Sequence, residues 1–348
     1  MVLESTSGAL AEEHDVVMLD LDGVVYVGRA GVPGAAAYLG EARERGARLA
    51  FVTNNASRPP SAVAAHLAEV GVPAEEADVV TSAQAAARVL RERHGAGARV
   101  LALGAQGLLE ALAAEELVPV GVEDDAVAAV TGYGPDVLWR DIMAASVRIR
   151  DGLPWVASNT DHTIPTPMGV APGHGVLVDM VQRFTGVTPT VAGKPERPLL
   201  DTTTARCGAA RALMVGDRID TDIVGGRAVG VPTLLVMTGV TGAAELAACP
   251  AEERPTYVAA DLGGLLEAQP VVEAGVVDGD ATGRSAVGGW TAQVRGGRLD
   301  VDGDGSASDW WRAVAVACWQ HLDATGTPAD TTAVHSPVAP SAPGTTDR

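Results

Sequence analysis

Two carboxylates spaced two residues apart, Asp20 and Asp22, follow the unbroken apolar run Val16-Val17-Met18-Leu19. Such a run reads as a buried parallel strand that ends at Asp20. Ligands of open α/β sheets bind beyond the carboxyl ends of the strands, so Asp20-Leu21-Asp22-Gly23 aims both acids at one site. Residues i and i+2 share a face while the chain is extended. Two carboxylates that close repel each other unless a divalent cation supplies the compensating charge. Taken alone, the stretch also reads as an acidic turn without chemistry.

The elements downstream repeat the arrangement. Residues 48–52 predict a second buried strand, ending in Thr53-Asn54-Asn55, whose hydroxyl and amides suit either phosphate oxygens or a helix cap. Residues 212–215 predict another strand, ending in Gly216-Asp217-Arg218-Ile219-Asp220-Thr221-Asp222. Gly193-Lys194-Pro195 precedes a helix expected near 198–206, a strand at 233–237 ends in Thr238-Gly239, and a last strand is expected at 256–259. Lys194 is the single lysine in a chain with 24 arginines, which points to a position needing a compact ammonium rather than a planar guanidinium.

The 348 residues exceed one modest core, so two domains with an appendage are expected. A formal charge of −19 repels nucleic acid and anionic membranes, and a small anionic substrate would need a local positive site. Cys207, Cys249 and Cys318 are scattered, odd in number and without CxxC spacing, which fits a reducing cytoplasm and argues against zinc. No apolar run reaches the length of a membrane span, so a soluble cytoplasmic protein is expected.

Residues 81–190 alternate strands (99–103, 127–131, 155–158) with helices (106–116, 138–150, 175–184), the pattern of a small parallel sheet with its own core. Within it, Ser158-Asn159-Thr160-Asp161 and Pro172-Gly173-His174-Gly175 nominate Asn159, Asp161 and His174 as pocket residues. Beyond residue 267, a hairpin about Gly296-Gly297 precedes a helix over 307–322 that holds three of the six tryptophans. The tail from 325, rich in Pro, Thr, Ser and Ala, is expected to be disordered. Asp300, Asp302, Asp304 and Gly305 match the opening of a calcium loop, but Trp311 stands where its bidentate Glu belongs. Arg284-Ser285-Ala286-Val287-Gly288-Gly289 misses an acetyl-CoA loop by one residue, so this module is expected to pack on the core or serve an interface.

Asp20-Leu21-Asp22-Gly23, Thr53-Asn54-Asn55, Gly193-Lys194-Pro195 and Gly216 to Asp222, in that order, resemble the four motifs of haloacid dehalogenase (HAD) superfamily phosphatases. The 33 positions from Asp20 to Thr53 leave no room for an inserted domain, whereas the 141 from Thr53 to Lys194 do. That placement resembles the class IIA branch, NagD-like and 4-nitrophenylphosphatase-like, and the Asn159 and His174 segments resemble its cap signatures. Ser158 stands where Thr is usual, and Gly132-Tyr133-Gly134 departs from the usual Gly-x-Asp. The extension resembles that of actinobacterial glycerol 3-phosphate phosphatases, which carry an acetyltransferase-like C-terminal piece.

The resemblance implies an α/β fold: a Rossmann-like parallel-sheet core (14–80 and 191–267), an inserted α/β cap (81–190), a small C-terminal α+β module (270–324) and a disordered tail (325–348). It implies Mg2+ held by Asp20, the carbonyl of Asp22, Asp217 and, through water, Asp222. Asp20 would form an aspartyl-phosphate, Asp22 would act as acid and then base, and Thr53, the Asn54 backbone and Lys194 would hold the transferring oxygens. Asn55, Asn159, Asp161 and His174 would face the substrate. The expected partner is a small phosphorylated metabolite, glycerol 3-phosphate first. Phosphoglycolate, a sugar phosphate, pyridoxal phosphate or a nucleotide is the alternative, and a homodimer is expected. A binding or regulatory protein acting through the C-terminal module is the reading from a different class.

Overall fold

Four short aliphatic runs, Val16–Leu19, Ala212–Gly216, Thr233–Val236 and Tyr257–Ala259, are buried along their whole length, as strands covered on both faces must be. They pair in parallel in the order Tyr257–Ala259, Thr233–Val236, Ala212–Gly216, Val16–Leu19. The register sets Leu19 beside Val215 and Gly216 beside Leu235, so neighbouring strands release the chain at one rim, at Asp20, Asp217 and Met237. These strands belong to the first of two compact units in the computed structural model, residues 1–49 with 209–348; residues 50–208 form the second. Residues 3–166, 168–275 and 281–337 are described.

The first unit also holds the C-terminal module. Its four antiparallel strands, Glu273–Ala274, Ala281–Val287, Trp290–Arg295 and Arg298–Gly303, precede the helix Ala307–Thr325. Gly296 and Gly297 lie at φ 54° and 78°, the doubly left-handed turn that a two-residue hairpin requires. The helix starts at Ser306, whose hydroxyl accepts from the Asp309 N–H at 3.0 Å, and stops at the left-handed Gly326. Trp310, Trp311 and Trp319 are buried in one cluster with Ile223, Leu235, Met237, Leu246 and Val258, so the module completes the core of this unit.

Two buried arginines fasten the helix. Arg254 donates to both carboxylate oxygens of Asp323 at 2.9 and 2.6 Å and lies 5.1 Å from the Trp319 ring centre. Arg312 donates to the Val258 carbonyl and to Asp309, Glu267 and Gln269. Buried guanidinium groups persist only when their donors are satisfied in this way.

The two loop patterns set aside from the sequence lie on strands, and the tail departs from the sequence reading. Arg284 to Val287, weighed as a cofactor loop, lies within the strand Ala281–Val287. Asp300 and Asp302, weighed as calcium ligands, lie on the strand Arg298–Gly303, while Trp311 is buried in the helix. The tail expected to be disordered is docked where it follows the helix. Asp330 accepts from the Leu299 N–H at 2.9 Å and donates to the Gly297 carbonyl at 2.8 Å, with Ala329 and Thr331 buried beside it. The unpaired backbone of an edge strand invites such pairing. The tail beyond residue 337 lies outside the described residues.

The second unit contains five parallel strands in the order Thr190–Val191, Trp155–Ala157, Ala128–Thr131, Arg99–Leu103, Val118–Val120. The helices Gln106–Ala114, Trp139–Arg150 and His174–Thr185 accompany this sheet, with Ile142, Ile149, Val178 and Val181 meeting Leu101, Ala129 and Trp155 in one core. Phe51 to Thr53 pair in parallel with Val79 to Thr81 in the same unit. Sequence reading passed over the helix Ser82–His94, although Thr81 and Gln84 form its capping box, and the hairpin Thr163–Thr166 with Gly169–Pro172. Residues 50–80 and 191–208 fall within the second compact unit. Among the described residues no helix is long and apolar enough to cross a membrane.

Candidate active site

In the first unit, the parallel register carries Asp20 to the Ala212–Gly216 strand, where its N–H donates to the Val215 carbonyl at 2.9 Å. Asp217 is the next residue after that strand, and Asp222 lies in a single π-helical turn, Ile219–Ile223, of the kind often found at functional sites. Ligand oxygens of Asp20, Asp217 and Asp222 all lie within 4.8 Å of one another. Asp217 and Asp222 are buried, and Asp20 is half-buried.

Each pair of charges at that separation repels by about 3 kcal/mol or more, even at an effective dielectric of about 20. Three clustered oxygen donors suit a hard divalent cation that keeps most of its waters, as Mg2+ does. The cradle is built for this approach. A Cβ on Gly216 would overlap the Asp222 side chain, and a Cβ on Gly239 would overlap the Asp217 carboxylate. Asp222 Oδ2 accepts from the Arg218 N–H at 3.1 Å, and Asp217 Oδ2 accepts from the Val240 N–H at 2.6 Å. Asp22 is exposed and is not one of the three clustered carboxylates. Asp220 is exposed and paired with Arg218 at 2.7 Å.

In the second unit, the strand-end residues form one buried polar network centred on Asn54. Its side-chain amide pairs with the backbone of Lys194 as a strand would, accepting from the N–H at 2.8 Å and donating to the carbonyl at 3.0 Å. The same Nδ2 also donates to Asp161 Oδ1 at 3.0 Å. The Asn54 carbonyl accepts from Ser82 Oγ at 2.6 Å and from Asn159 Nδ2 at 2.7 Å. Gly193 permits the approach, since a Cβ there would stand 2.6 Å from Asn54 Oδ1. Lys194 is 1% exposed; its Nζ donates to the Val52 carbonyl at 3.2 Å, and its bond to Pro195 is cis.

Thr53 and Asn55 accept hydrogen bonds locally. Thr53 Oγ1 accepts from the Asn55 N–H, and Asn55 Oδ1 accepts from the Ser57 N–H and hydroxyl. They shape the loop and do not cap the helix Pro60–Glu69, which has no side-chain cap. His174 donates from Nδ1 to the Asn159 carbonyl at 2.8 Å. Burial pushes its pKa down to about 4, more strongly than that hydrogen bond raises it, so the ring is neutral at physiological pH and Nε2 is an acceptor. Nε2 is buried without a partner among the described residues. The glycines around His174 are packing devices, because a Cβ on Gly173 or Gly175 would overlap the carbonyls of Asp161 or Thr160.

A haloacid dehalogenase-like hydrolase family model matches residues 17–117, and a HAD-hydrolase-like model matches residues 191–265. The chain is 41% identical to the D-glycerol 3-phosphate phosphatase of Mycobacterium tuberculosis over 322 residues, covering 90% of this chain and 88% of the relative. The chain belongs to the haloacid dehalogenase-like hydrolases. It is a phosphatase of the class IIA branch. A crystal structure of the M. tuberculosis glycerol phosphate phosphatase in complex with magnesium superposes at a TM-score of 0.79, with 41% identity, covering 90% of this phosphatase and 92% of that chain. The 4-nitrophenylphosphatase of Thermotoga maritima superposes at 0.68 with 28% identity over 74% of this chain and 98% of its own. The second comparison covers less of this chain than the first.

Of the residues nominated from sequence, the structure brings Asp20, Asp217 and Asp222 together in the first unit, and Asn54, Asn159, Asp161, His174 and the Lys194 backbone together in the second. Ser82 and Val240 were missed. Ser82 acts through a hydroxyl on a helix that was not predicted, and Val240 acts through its backbone, which side-chain reading does not see. Thr238-Gly239 was noted as a strand end and given no role.

Proposed function

We propose that this phosphatase hydrolyses a small alkyl phosphomonoester, glycerol 3-phosphate first, with Mg2+ as cofactor and through an aspartyl-phosphate on Asp20. The observation that carries the reading is the cluster of Asp20, Asp217 and Asp222 at one strand rim. The donor set fits Mg2+, which Asp20, Asp217, the Asp22 carbonyl and, through water, Asp222 would hold, and whose charge would offset that of the phosphoryl group. Asp20 attacks phosphorus as its leaving alkoxide takes a proton from Asp22; Asp22 then draws a proton from the water that opens the acyl phosphate. Thr53, the Asn54 backbone and the Lys194 ammonium hold the phosphoryl oxygens, where each preorganised donor contributes on the order of 3 kcal/mol.

Asn55, Asn159, Asp161 and His174 belong to the substrate-facing cap side in this reading. The relative named for D-glycerol 3-phosphate supports the substrate, because its similarity covers 90% of this chain against 74% for the 4-nitrophenylphosphatase. Core residues 14–80 and 191–267, the cap 81–190 and the module 270–324 are the proposed functional division. A second copy of the chain is the proposed partner, supported by the exposed apolar stripe Trp139, Met143 and Val147 on one face of a cap helix. A cytoplasmic location is supported by three cysteines that are all free.

The test is phosphate release from a panel of phosphomonoesters with Mg2+ and after chelation. Glycerol 3-phosphate should have the highest kcat/KM, and chelation should abolish turnover. A tenfold preference for phosphoglycolate, a sugar phosphate, pyridoxal phosphate or a nucleotide overturns the substrate, and turnover unchanged by chelation overturns the metal site.

A further inference from the structure

The strand Thr233–Val236 ends at the same rim as the carboxylate cluster, and residues 238–241, which follow it, bear on that cluster at four points. The Val240 N–H donates to Asp217 Oδ2 at 2.6 Å, and the Thr241 N–H donates to the Asp217 carbonyl at 3.2 Å. The Thr238 hydroxyl donates to the Gly23 carbonyl at 2.6 Å. Gly239 lies against the Asp217 carboxylate so closely that its own Cβ would overlap Oδ2, and a Cβ on Gly23 would stand 2.5 Å from that oxygen and 3.0 Å from Gly239 Cα. The Asp217 carboxylate is therefore held between two glycine backbones, with one oxygen bonded to a third residue.

Thr238 acts on the other side of the same contact. Gly23 sits at φ 87°, its N–H donates to the Tyr26 carbonyl at 2.8 Å, and its own carbonyl is taken by Thr238. A trans peptide directs the Asp22 carbonyl opposite to the Gly23 N–H, so fixing Gly23 at both ends fixes the direction of the Asp22 carbonyl. A metal ligand held at one oxygen by an outer donor presents the remainder in a set orientation, and loss of such a donor typically weakens metal binding 10- to 100-fold.

We infer that Thr238, Gly239 and Val240 form a positioning clamp for the cation site: the Val240 N–H and Gly239 set the Asp217 carboxylate, and the Thr238 hydroxyl sets the Asp22–Gly23 turn. The clamp rests on the metal reading proposed above and adds three residues that touch neither substrate nor cation. Thr238→Val keeps the shape and removes only the hydroxyl, Thr238→Ser restores it, and Gly239→Ala displaces Asp217.

The experiment is Mn2+ binding by electron paramagnetic resonance on the full chain, with Mg2+ competition, beside the melting temperature of each metal-free protein. Thr238→Val should bind about tenfold more weakly, Thr238→Ser should recover most of the loss, and Gly239→Ala should bind about a hundredfold more weakly. The metal-free melting temperature of Thr238→Val should stay close to that of the unmodified protein. Unmodified affinity in both Thr238→Val and Gly239→Ala overturns the clamp while leaving the metal site standing. Failure of the unmodified protein to bind Mn2+ or Mg2+ overturns the metal reading and the clamp with it. A loss in Thr238→Val that Thr238→Ser does not recover also overturns the hydroxyl's role.

Discussion

Replacing Asn54 by Leu, a near-isostere without polar atoms, tests whether the amide is a structural hub or a ligand of substrate. The side chain makes three hydrogen bonds, to the Lys194 N–H, the Lys194 carbonyl and Asp161 Oδ1, at 2.8, 3.0 and 3.0 Å. Asn54 is buried and Lys194 is 1% exposed, so Leu strands both backbone groups of Lys194 where water does not replace the lost partner. Each stranded group costs about 1–3 kcal/mol, and Asp161, half-buried, recovers part of its loss from solvent. The sum is about 3–5 kcal/mol. At roughly 2–4 °C per kcal/mol for a unit of this size, the melting temperature should fall by about 6–20 °C.

Asn54→Asp separates geometry from chemistry. The new carboxylate keeps an acceptor for the Lys194 N–H but faces the Lys194 carbonyl and the Asp161 carboxylate with no donor. It should therefore be destabilised at neutral pH and partly recover as the pH falls and one of the two carboxyls takes up a proton. The assay is thermal melting followed by circular dichroism, with steady-state kinetics on folded protein. A melting temperature for Asn54→Leu within about 2 °C of the unmodified protein would refute the hub.

The other predictions rest on single buried groups. Lys194→Arg keeps the charge but adds bulk at a position with 1% exposure, where overpacking costs about 1–3 kcal/mol. Turnover should fall about a hundredfold, and retention of more than half of it with an unchanged KM would remove Lys194 from the phosphate. His174 has its pKa depressed from 6.5 to about 4, so the unfolded chain binds the proton more readily. Its contribution is present in full above pH 6.5 and is lost as the pH falls toward 4, a difference of about 3 kcal/mol. Urea unfolding at pH 7.5 and 4.5 should show the unmodified protein losing about 2–3 kcal/mol more than His174→Asn, which keeps a donor near Nδ1 and does not titrate. Equal losses would show that the burial of His174 is not felt.

The C-terminal module illustrates how composition and contact diverge. Clustered tryptophans marked it as a packing element, and Trp310, Trp311 and Trp319 do enter the core of the first unit. The acidic loop and the cofactor-like loop were artefacts of short patterns, because a strand presents Asp300 and Asp302 as well as a calcium loop would. Burial of Arg254 and Arg312 was not legible, since arginine is usually exposed and only its tertiary partners justify removing it from water.

Sequence alone determined the parallel α/β character, the strand ends and the identity of the acids, because apolar runs and the residues that terminate them are local signals. Asp20, Asp217 and Asp222 were recoverable for that reason: each lies at or just beyond a strand whose burial pattern is written in consecutive residues. Tertiary structure alone decided which of the polar residues spend themselves on one another. The Asn54 side chain is committed to a backbone 140 positions away, which no local pattern announces. Thr238 read as a strand end, yet it holds Gly23 across 215 positions. Neither pair follows strands that are neighbours in a sheet, so only the tertiary arrangement of the loops beyond the strand ends brings them together. Local pattern carries no record of that neighbour.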